Sequence, residues 1–293
     1  MEKMKIKTGE FEDVFCPTCG LDSERKINFE RDDGISFYSC IECNIEYASP
    51  RLVKSSLLNL YEGDSWRDQS YYENWTYESW KQEKGKDYFL VKENIKLIKR
   101  FIKPGASILD VGCDIGLSVK ALEENGYYSE GVEVSMIGSK IAKEKTGIKV
   151  QNVELHNYQS ENQFDGLLLL DVLEHLNNPI KVLKECSKNL KKGGYIFIHT
   201  PHHRGLSTQY KKYLHKKNLK KDYKHFGFPE HLYSFDKKSL NKMLDKTGFK
   251  TIHFESWSKN LTRGNVNIFN YLIVKLIKLF SLADYIVCVA KKG

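Results

Sequence analysis

The sequence predicts an α/β protein, a mainly parallel, doubly wound sheet with helices on both faces, preceded by a small N-terminal module. Three observations predict it. From Ser107 onward, short apolar strand patterns alternate with helical ones, as expected of parallel strands joined by crossover helices. The stretch Ile108-Leu-Asp-Val-Gly-Cys-Asp-Ile-Gly116 reads as a buried strand, a glycine-bracketed turn and the start of a helix; glycines there let the backbone turn sharply and a ligand approach. Before it, Cys16-Pro-Thr-Cys19 and Cys40-Ile-Glu-Cys43 form two CxxC pairs about 20 residues apart.

Composition sets the bounds. A chain of 293 residues, 41% hydrophobic and 12% aromatic, suits one full α/β domain and a small appendage. Met1 to Glu10 is charged and lacks an apolar core, so no signal peptide is expected. No run of about 20 apolar residues exists to span a membrane; the nearest, Ile268 to Leu282, is broken by Lys275 and Lys278. The expectation is a cytoplasmic protein.

In such a chain, seven cysteines read as metal ligands and buried thiols rather than disulfides. The two knuckles have the spacing of a tetrahedral four-thiolate zinc site. With Cys16, Cys19, Cys40 and Cys43 all used as ligands, no position is open and the metal is structural. The segments Ile27 to Phe29 and Ile35 to Tyr38 can pair as a hairpin between the knuckles, and a module of roughly 50 residues needs the metal's stability. Three parts follow: a zinc ribbon over 1–50, an aromatic-rich connector with N-terminal helices over 51–104, and the α/β domain over 105–293. The connector carries Tyr61, Trp66, Tyr71, Tyr72, Trp75, Tyr77 and Trp80, and Asp87 to Phe101 has helical periodicity ending before Pro104-Gly105. Seven strands are predicted: Ser107 to Val111, Tyr128 to Val134, Ile148 to Val153, Phe164 to Leu170, Tyr195 to Thr200, Phe249 to Glu255 and Tyr285 to Ala290. Gly126, Gly147, Gly193 and Gly248 mark the ends of the intervening helices.

In open sheets of this kind, ligands bind beyond the carboxyl ends of the strands, where the strand order reverses. Glu133 ends the second strand about 20 residues after the glycine turn, where an acid can accept both hydroxyls of a ribose. Val153 and Glu154 end the third strand, and Asp171 ends the fourth and opens the run Asp171-Val-Leu-Glu-His-Leu-Asn-Asn-Pro179.

With these residues in place, the chain resembles the class I S-adenosylmethionine-dependent methyltransferases, and within them the bacterial branch with an N-terminal zinc ribbon. Ile108 to Gly116, Gly131-Val-Glu-Val-Ser135, Phe164-Asp165, Asp171 to His175, Leu190-Lys-Lys-Gly-Gly194, Glu230-His231-Leu-Tyr233 and Thr247-Gly-Phe249 carry the likeness, which covers essentially the whole chain. The resemblance implies a Rossmann-like seven-stranded sheet and S-adenosylmethionine as cofactor. It implies that Asp110, Gly112, Cys113 and Gly116 line the methionine part and that Glu133 holds the ribose. Val134, Val153 and Glu154 would frame the adenine, with Asp171 and Val172 near the sulfonium. Asp114 stands where the family usually has glycine; aspartate tolerates a left-handed backbone at roughly 1 kcal/mol of strain, and its carboxylate could meet the cofactor's ammonium group.

Methyl transfer needs an acceptor lone pair aligned with the methyl group and, for a hydroxyl, a base. His231, preceded by Glu230 to orient it, is the candidate base, by likeness to sugar-modifying methyltransferases. His175 is expected to order the segment after the fourth strand; His199, His202 and His203 either meet the acceptor or are solvated. The expected reaction is O-methylation of a sugar or nucleotide-linked sugar in surface-glycan biosynthesis. The net charge of +8 is concentrated in the lysine-rich segment 211–225, which is either a solvated face or an attractor of a phosphorylated acceptor. Two alternatives stand beside this reading: an enzyme methylating ribosomal RNA bases, which zinc-ribbon relatives and the basic segment allow, and a non-catalytic zinc and adenosine scaffold. The apolar segment 265–282 is expected to be core or a homodimer contact, with peripheral membrane contact the weaker reading.

Overall fold

The computed structural model describes residues 10–31, 34–57, 76–83, 86–217, 227–257 and 282–293. The connector aromatics Tyr61 to Trp75, the lysine-rich stretch 218–225 and the apolar segment 265–281 lie outside the described residues.

The N-terminal module is built from β1 (Phe11–Glu12), β2 (Arg25–Glu30), β3 (Ser36–Cys40), β4 (Glu46–Ser49) and β5 (Arg51–Leu52). The expected hairpin is β2 against β3, antiparallel, with Ile27 opposite Tyr38. β5 pairs with β1, Arg51 opposite Glu12, which carries the strand pairing two residues past Pro50. Each cysteine knuckle closes through a left-handed residue, Gly20 (φ 95) and Asn44 (φ 66). Their amides return to the Cys16 and Cys40 carbonyls at 2.9 and 2.8 Å.

Helices α1 (Tyr77–Glu83) and α2 (Lys86–Lys99) lead into the α/β domain. There the order is β6 (Ser107–Val111), α3 (Leu117–Glu124), β7 (Tyr128–Val132), α4 (Met136–Ile141), β8 (Val150–Gln151), β9 (Phe164–Leu170), α5 (Pro179–Asn189), β10 (Leu190–Pro201), α6 (Leu206–Lys216), β11 (Tyr233–Ser234), α7 (Lys237–Lys246), β12 (Phe249–Trp257) and β13 (Tyr285–Lys292). Seven of these strands form one sheet in the order β12-β13-β10-β9-β6-β7-β8. It is parallel except at β13, which is antiparallel to both neighbours. The order reverses beside β6, so the switch point lies at the glycine turn.

Strand alternation explains the two layers. Leu109, Leu167, Leu169, Ile196 and Ile198 face one way, onto α5 and α7 through Leu183, Cys186, Leu240, Met243 and Leu244. Ile108, Leu168 and Phe197 face the other, onto α2 and α3 through Ile95, Ile98, Ala121 and Leu122. Local chemistry sets the helix ends. Asn178 caps α5 by accepting from the Lys181 amide, with Pro179 in the first turn. Asp236 and Ser239 form a reciprocal capping box on α7.

β8 is two residues long rather than the six predicted, and Gly193 lies inside β10, at a break in its register with β9 between Leu190 and Tyr195, not at a helix end. The ribbon is also not self-contained. β11, from the far end of the chain, adds to its sheet by pairing with β4. Cys16, Cys40, Cys43, Ile45 and Tyr47 share one core with Leu232, Tyr233, Phe235 and the apolar side of α7. A small module that cannot bury enough surface alone borrows it from its neighbour. No helix among the described residues is long and apolar enough to cross a membrane.

Gly131 in β7 faces the turn after β6: a Cβ there would lie 2.4 Å from Cys113 Sγ. Gly131→Ala is expected to cost about 1–3 kcal/mol in urea unfolding, and less in a Cys113→Ala background, where the obstructing sulfur is gone.

Candidate active site at the carboxyl edge of the sheet

The turn after β6 needs three left-handed residues, Gly112 (φ 75), Asp114 (φ 54) and Gly116 (φ 81). Asp114 thus adopts the backbone that its usual glycine counterpart would. Space is equally limiting: a Cβ on Gly112 would sit 2.7 Å from Val172 Cγ2, and one on Gly116 2.4 Å from Ile148 Cδ1.

Glu133 organises this edge. It is buried, with Oε2 accepting from the Asp114 amide at 2.8 Å and Oε1 from the Ser135 amide at 2.7 Å. Asn152 Nδ2 donates to the Glu133 and Val134 carbonyls at 2.8 and 3.0 Å, tying the ends of β7 and β8. Of the five amides from Gly112 to Gly116, four are engaged within the protein: Gly112 and Cys113 with the Val132 carbonyl, Asp114 with Glu133, and Gly116 with the Cys113 carbonyl. A phosphate cradle needs such amides unengaged, so this turn does not suit a pyrophosphate. What it presents is negative. Burial, then the charges of Glu133 and Asp114, push the Asp110 carboxyl up to about 7, so the pocket favours a cationic ligand.

The expected cofactor residues are not all placed alike. Asp110, Gly112, Glu133, Asp171 and Val172 converge here, and Val134 is exposed beside them. The Cys113 side chain turns inward, packed with Val119, Ala142, Ile148 and Val150, which leaves its backbone to face the turn. The Asp114 carboxylate lies toward α4, its Oδ1 3.3 Å from where a Gly138 Cβ would be. Val153 packs on the main core. Glu154 is engaged by Lys54, at 2.5 and 2.6 Å.

Past β9, Asp171 is itself left-handed (φ 55). Its carboxylate meets His199 Nδ1 at 2.7 Å, and its amide donates to the His199 carbonyl at 2.9 Å. The His199 ring is fully buried, stacked on Tyr285 at 4.9 Å. His202 and His203 are also buried, with Nδ1 atoms on the Ala283 and Ser234 carbonyls. None of the three is solvated. Sequence patterns missed the packing because the partners lie on distant strands.

Glu174 is fully buried and accepts from Thr200 Oγ1 at 3.0 Å; burial, then Asp171, raises its carboxyl well above the usual range. The expected base, His231, sits edge-on to His175 with ring centroids 4.6 Å apart. His175 Nδ1 contacts the Glu230 carbonyl at 3.0 Å, so Glu230 contributes its backbone to this junction. Burial, then His231, lowers His175 to about 4; a neutral ring donating from Nδ1 fits. Glu174, His175 and His231 each place a potential ligand atom within 4.8 Å of the others, an arrangement able to move a proton or hold a cation. In the lysine-rich segment, Lys212 is committed to Glu46 at 2.8 Å.

The four cysteines of the ribbon also converge, their sulfurs within 4.8 Å of one another and Cys16 Sγ 3.5 Å from Cys43 Sγ. Tetrahedral zinc thiolates stand about 3.8 Å apart, so the donor set fits that ion. Lys242, whose ammonium is stabilised by Cys19 and then Glu42, offsets the negative charge such a cluster would carry.

Residues 83–254 match the family profile described as a methyltransferase domain. The ubiquinone biosynthesis O-methyltransferase of Aliivibrio fischeri is 27% identical over 187 residues, 58% of this chain and 76% of that protein. The magnesium protoporphyrin IX methyltransferase of Synechocystis, solved with bound SAH, superposes with a TM-score of 0.57 at 12% identity, covering 82% of this chain and 100% of that one. A SAM-dependent methyltransferase from Archaeoglobus fulgidus gives 0.52 at 21% identity, over 73% and 97%. With the strand order, the left-handed turn and the profile in agreement, the chain belongs to the methyltransferase domain family and is a class I, S-adenosylmethionine-dependent methyltransferase.

Proposed function

We propose that this chain methylates a hydroxyl of a small molecule, a sugar or nucleotide-linked sugar. The observation that carries the cofactor side is the turn after β6: its amides are spent internally while carboxylates surround it, which suits a cationic sulfonium ligand and not a pyrophosphate. S-adenosylmethionine supplies a methyl group activated by its sulfonium charge. Glu133, at the end of β7, is the acceptor for the ribose hydroxyls. Val134 and Val153 offer apolar surface to the adenine, with Glu154 at its rim. Asp110 and the backbone of Gly112, Cys113, Asp114 and Gly116 hold the methionine end, and Asp171 and Val172 close over it. His231, oriented by the Glu230 backbone and His175, takes the acceptor's proton. The thiolates of Cys16, Cys19, Cys40 and Cys43 hold a structural zinc. The domain division proposed is the ribbon at 1–50, with its strand pairing carried through β5 at the start of the connector (51–104), and the catalytic domain from 105.

The relative named for ubiquinone biosynthesis supports a second reading, a phenolic hydroxyl acceptor. The test supplies labelled S-adenosylmethionine with separate nucleotide-sugar, phenol and RNA fractions. Label in the nucleotide-sugar fraction supports the first reading and label in phenols the second; label in RNA alone overturns both.

Three outcomes are expected. His231→Ala lowers turnover about 10²- to 10⁴-fold, the usual worth of a general base, while calorimetry gives unchanged affinity for S-adenosylhomocysteine. Asp110→Asn alters the pH dependence of stability without cofactor. Because the folded carboxyl binds its proton more tightly than the unfolded one, the wild type loses stability as pH rises from near 3.8 to about 7. Thermal melts of the variant should lack that loss. Cys43→Ser should release the metal, seen by elemental analysis as less than one zinc per chain, and lower the melting temperature.

A further inference from the structure

One side chain of the N-terminal module reaches both loops of the proposed acceptor side. Arg51, at the end of the ribbon in β5, is 6% exposed, and each of its guanidinium nitrogens has a partner. Nε donates to Glu12 Oε1 at 3.1 Å, Nη2 to the Asn177 carbonyl at 2.9 Å and Nη1 to the Tyr233 hydroxyl. The Tyr233 hydroxyl also donates to the Asn177 carbonyl at 3.3 Å. Asn177 closes the loop that begins at Asp171, and Tyr233 lies two residues after His231. The two loops are further joined by the Leu232 amide on the Glu174 carbonyl at 2.7 Å, and the Leu232 carbonyl accepts from the Ala48 amide of the ribbon at 3.3 Å.

We propose that Arg51 is a positioning residue, through which the ribbon fixes the loop carrying His231 against the loop that follows β9. A planar guanidinium can grip a carboxylate, a carbonyl and a phenol at once, and a lysine ammonium cannot reproduce that fork. The ribbon is then part of the acceptor side of the site, while the glycine turn is held by Glu133. This role rests on the proposed reading that the His231 loop faces the acceptor.

The experiment uses the full chain loaded with zinc. Turnover is measured at saturating labelled S-adenosylmethionine with the fraction that accepts label, and S-adenosylhomocysteine affinity by calorimetry. Arg51→Ala should lower turnover about 10- to 100-fold, as for a small misplacement of reacting groups, with cofactor affinity within about twofold of wild type. Added guanidinium at millimolar concentration should restore part of the turnover in Arg51→Ala and none in Arg51→Lys, where the side chain fills the space. Unchanged turnover, or a loss shared by cofactor affinity and not rescued, would overturn the role. If Arg51→Ala does not fold, Tyr233→Phe removes one arm of the grip and keeps the ring; several-fold slower turnover supports the role and wild-type turnover overturns it. His231→Ala is run in parallel. Full turnover there with loss in Arg51→Ala removes the base and leaves the positioning role; the opposite pattern removes the positioning role alone.

Discussion

One carboxylate holds the working edge of this molecule together. Glu133 accepts backbone amides from Asp114, in the turn after β6, and from Ser135, at the cap of α4. These amides sit on two different crossover connections, so a single buried acid sets the distance between them. Charge-assisted acceptance by a buried carboxylate is stronger than a neutral hydrogen bond, and the left-handed turn costs strain that something must offset. Burial first, and then the charges of Glu133 and Asp114 gathered beside it, raise the Asp110 carboxyl. A ligand bearing positive charge relieves the repulsion among the three carboxylates, so the pocket is biased toward a cationic ligand.

The second constraint lies between modules. β11 is two residues long, yet it completes the ribbon's sheet and continues directly from the Glu230-His231 loop. With Arg51 and Leu232 it makes the ribbon, the loop after β9 and the loop before α7 one hydrogen-bonded unit. The ribbon's cysteines and the apolar side of α7 also share a core, so an ion held by the four sulfurs would stabilise the region that packing stabilises. The glycine turn and the Glu230-His231 loop are therefore supported by different means, the first by β-strand ends and Glu133, the second by the N-terminal module.

Much of this was legible beforehand. Periodicity located β6, β9 and β13 because each runs through the core and alternates between two apolar faces. The glycine turn was legible because left-handed backbone restricts residue type, and the two CxxC knuckles because thiolate spacing is dictated by one ion. The weaker predictions share a cause. β8 is short because beyond Gln151 the chain is held by Asn152 to Glu133 and Val134, a cross-strand bond that no local pattern encodes. The resemblance places Cys113 among the pocket residues, but Gly131 opens space beneath it and the sulfur drops into that space. His199, His202 and His203 are polar in type and buried in fact, each with its Nδ1 held by a residue remote in sequence.

The sequence by itself determined the element order, the parallel sheet, the left-handed glycine turn and the four clustered cysteines, all features written in spacing within a few residues. Only the tertiary structure decided that Arg51 would grip Asn177 and Tyr233, 126 and 182 positions away, and that His231 would come to rest on His175. Those pairings depend on where crossover helices deliver distant loops. Local propensity carries no record of that, because a hydrogen bond between remote residues forms only after the core has packed.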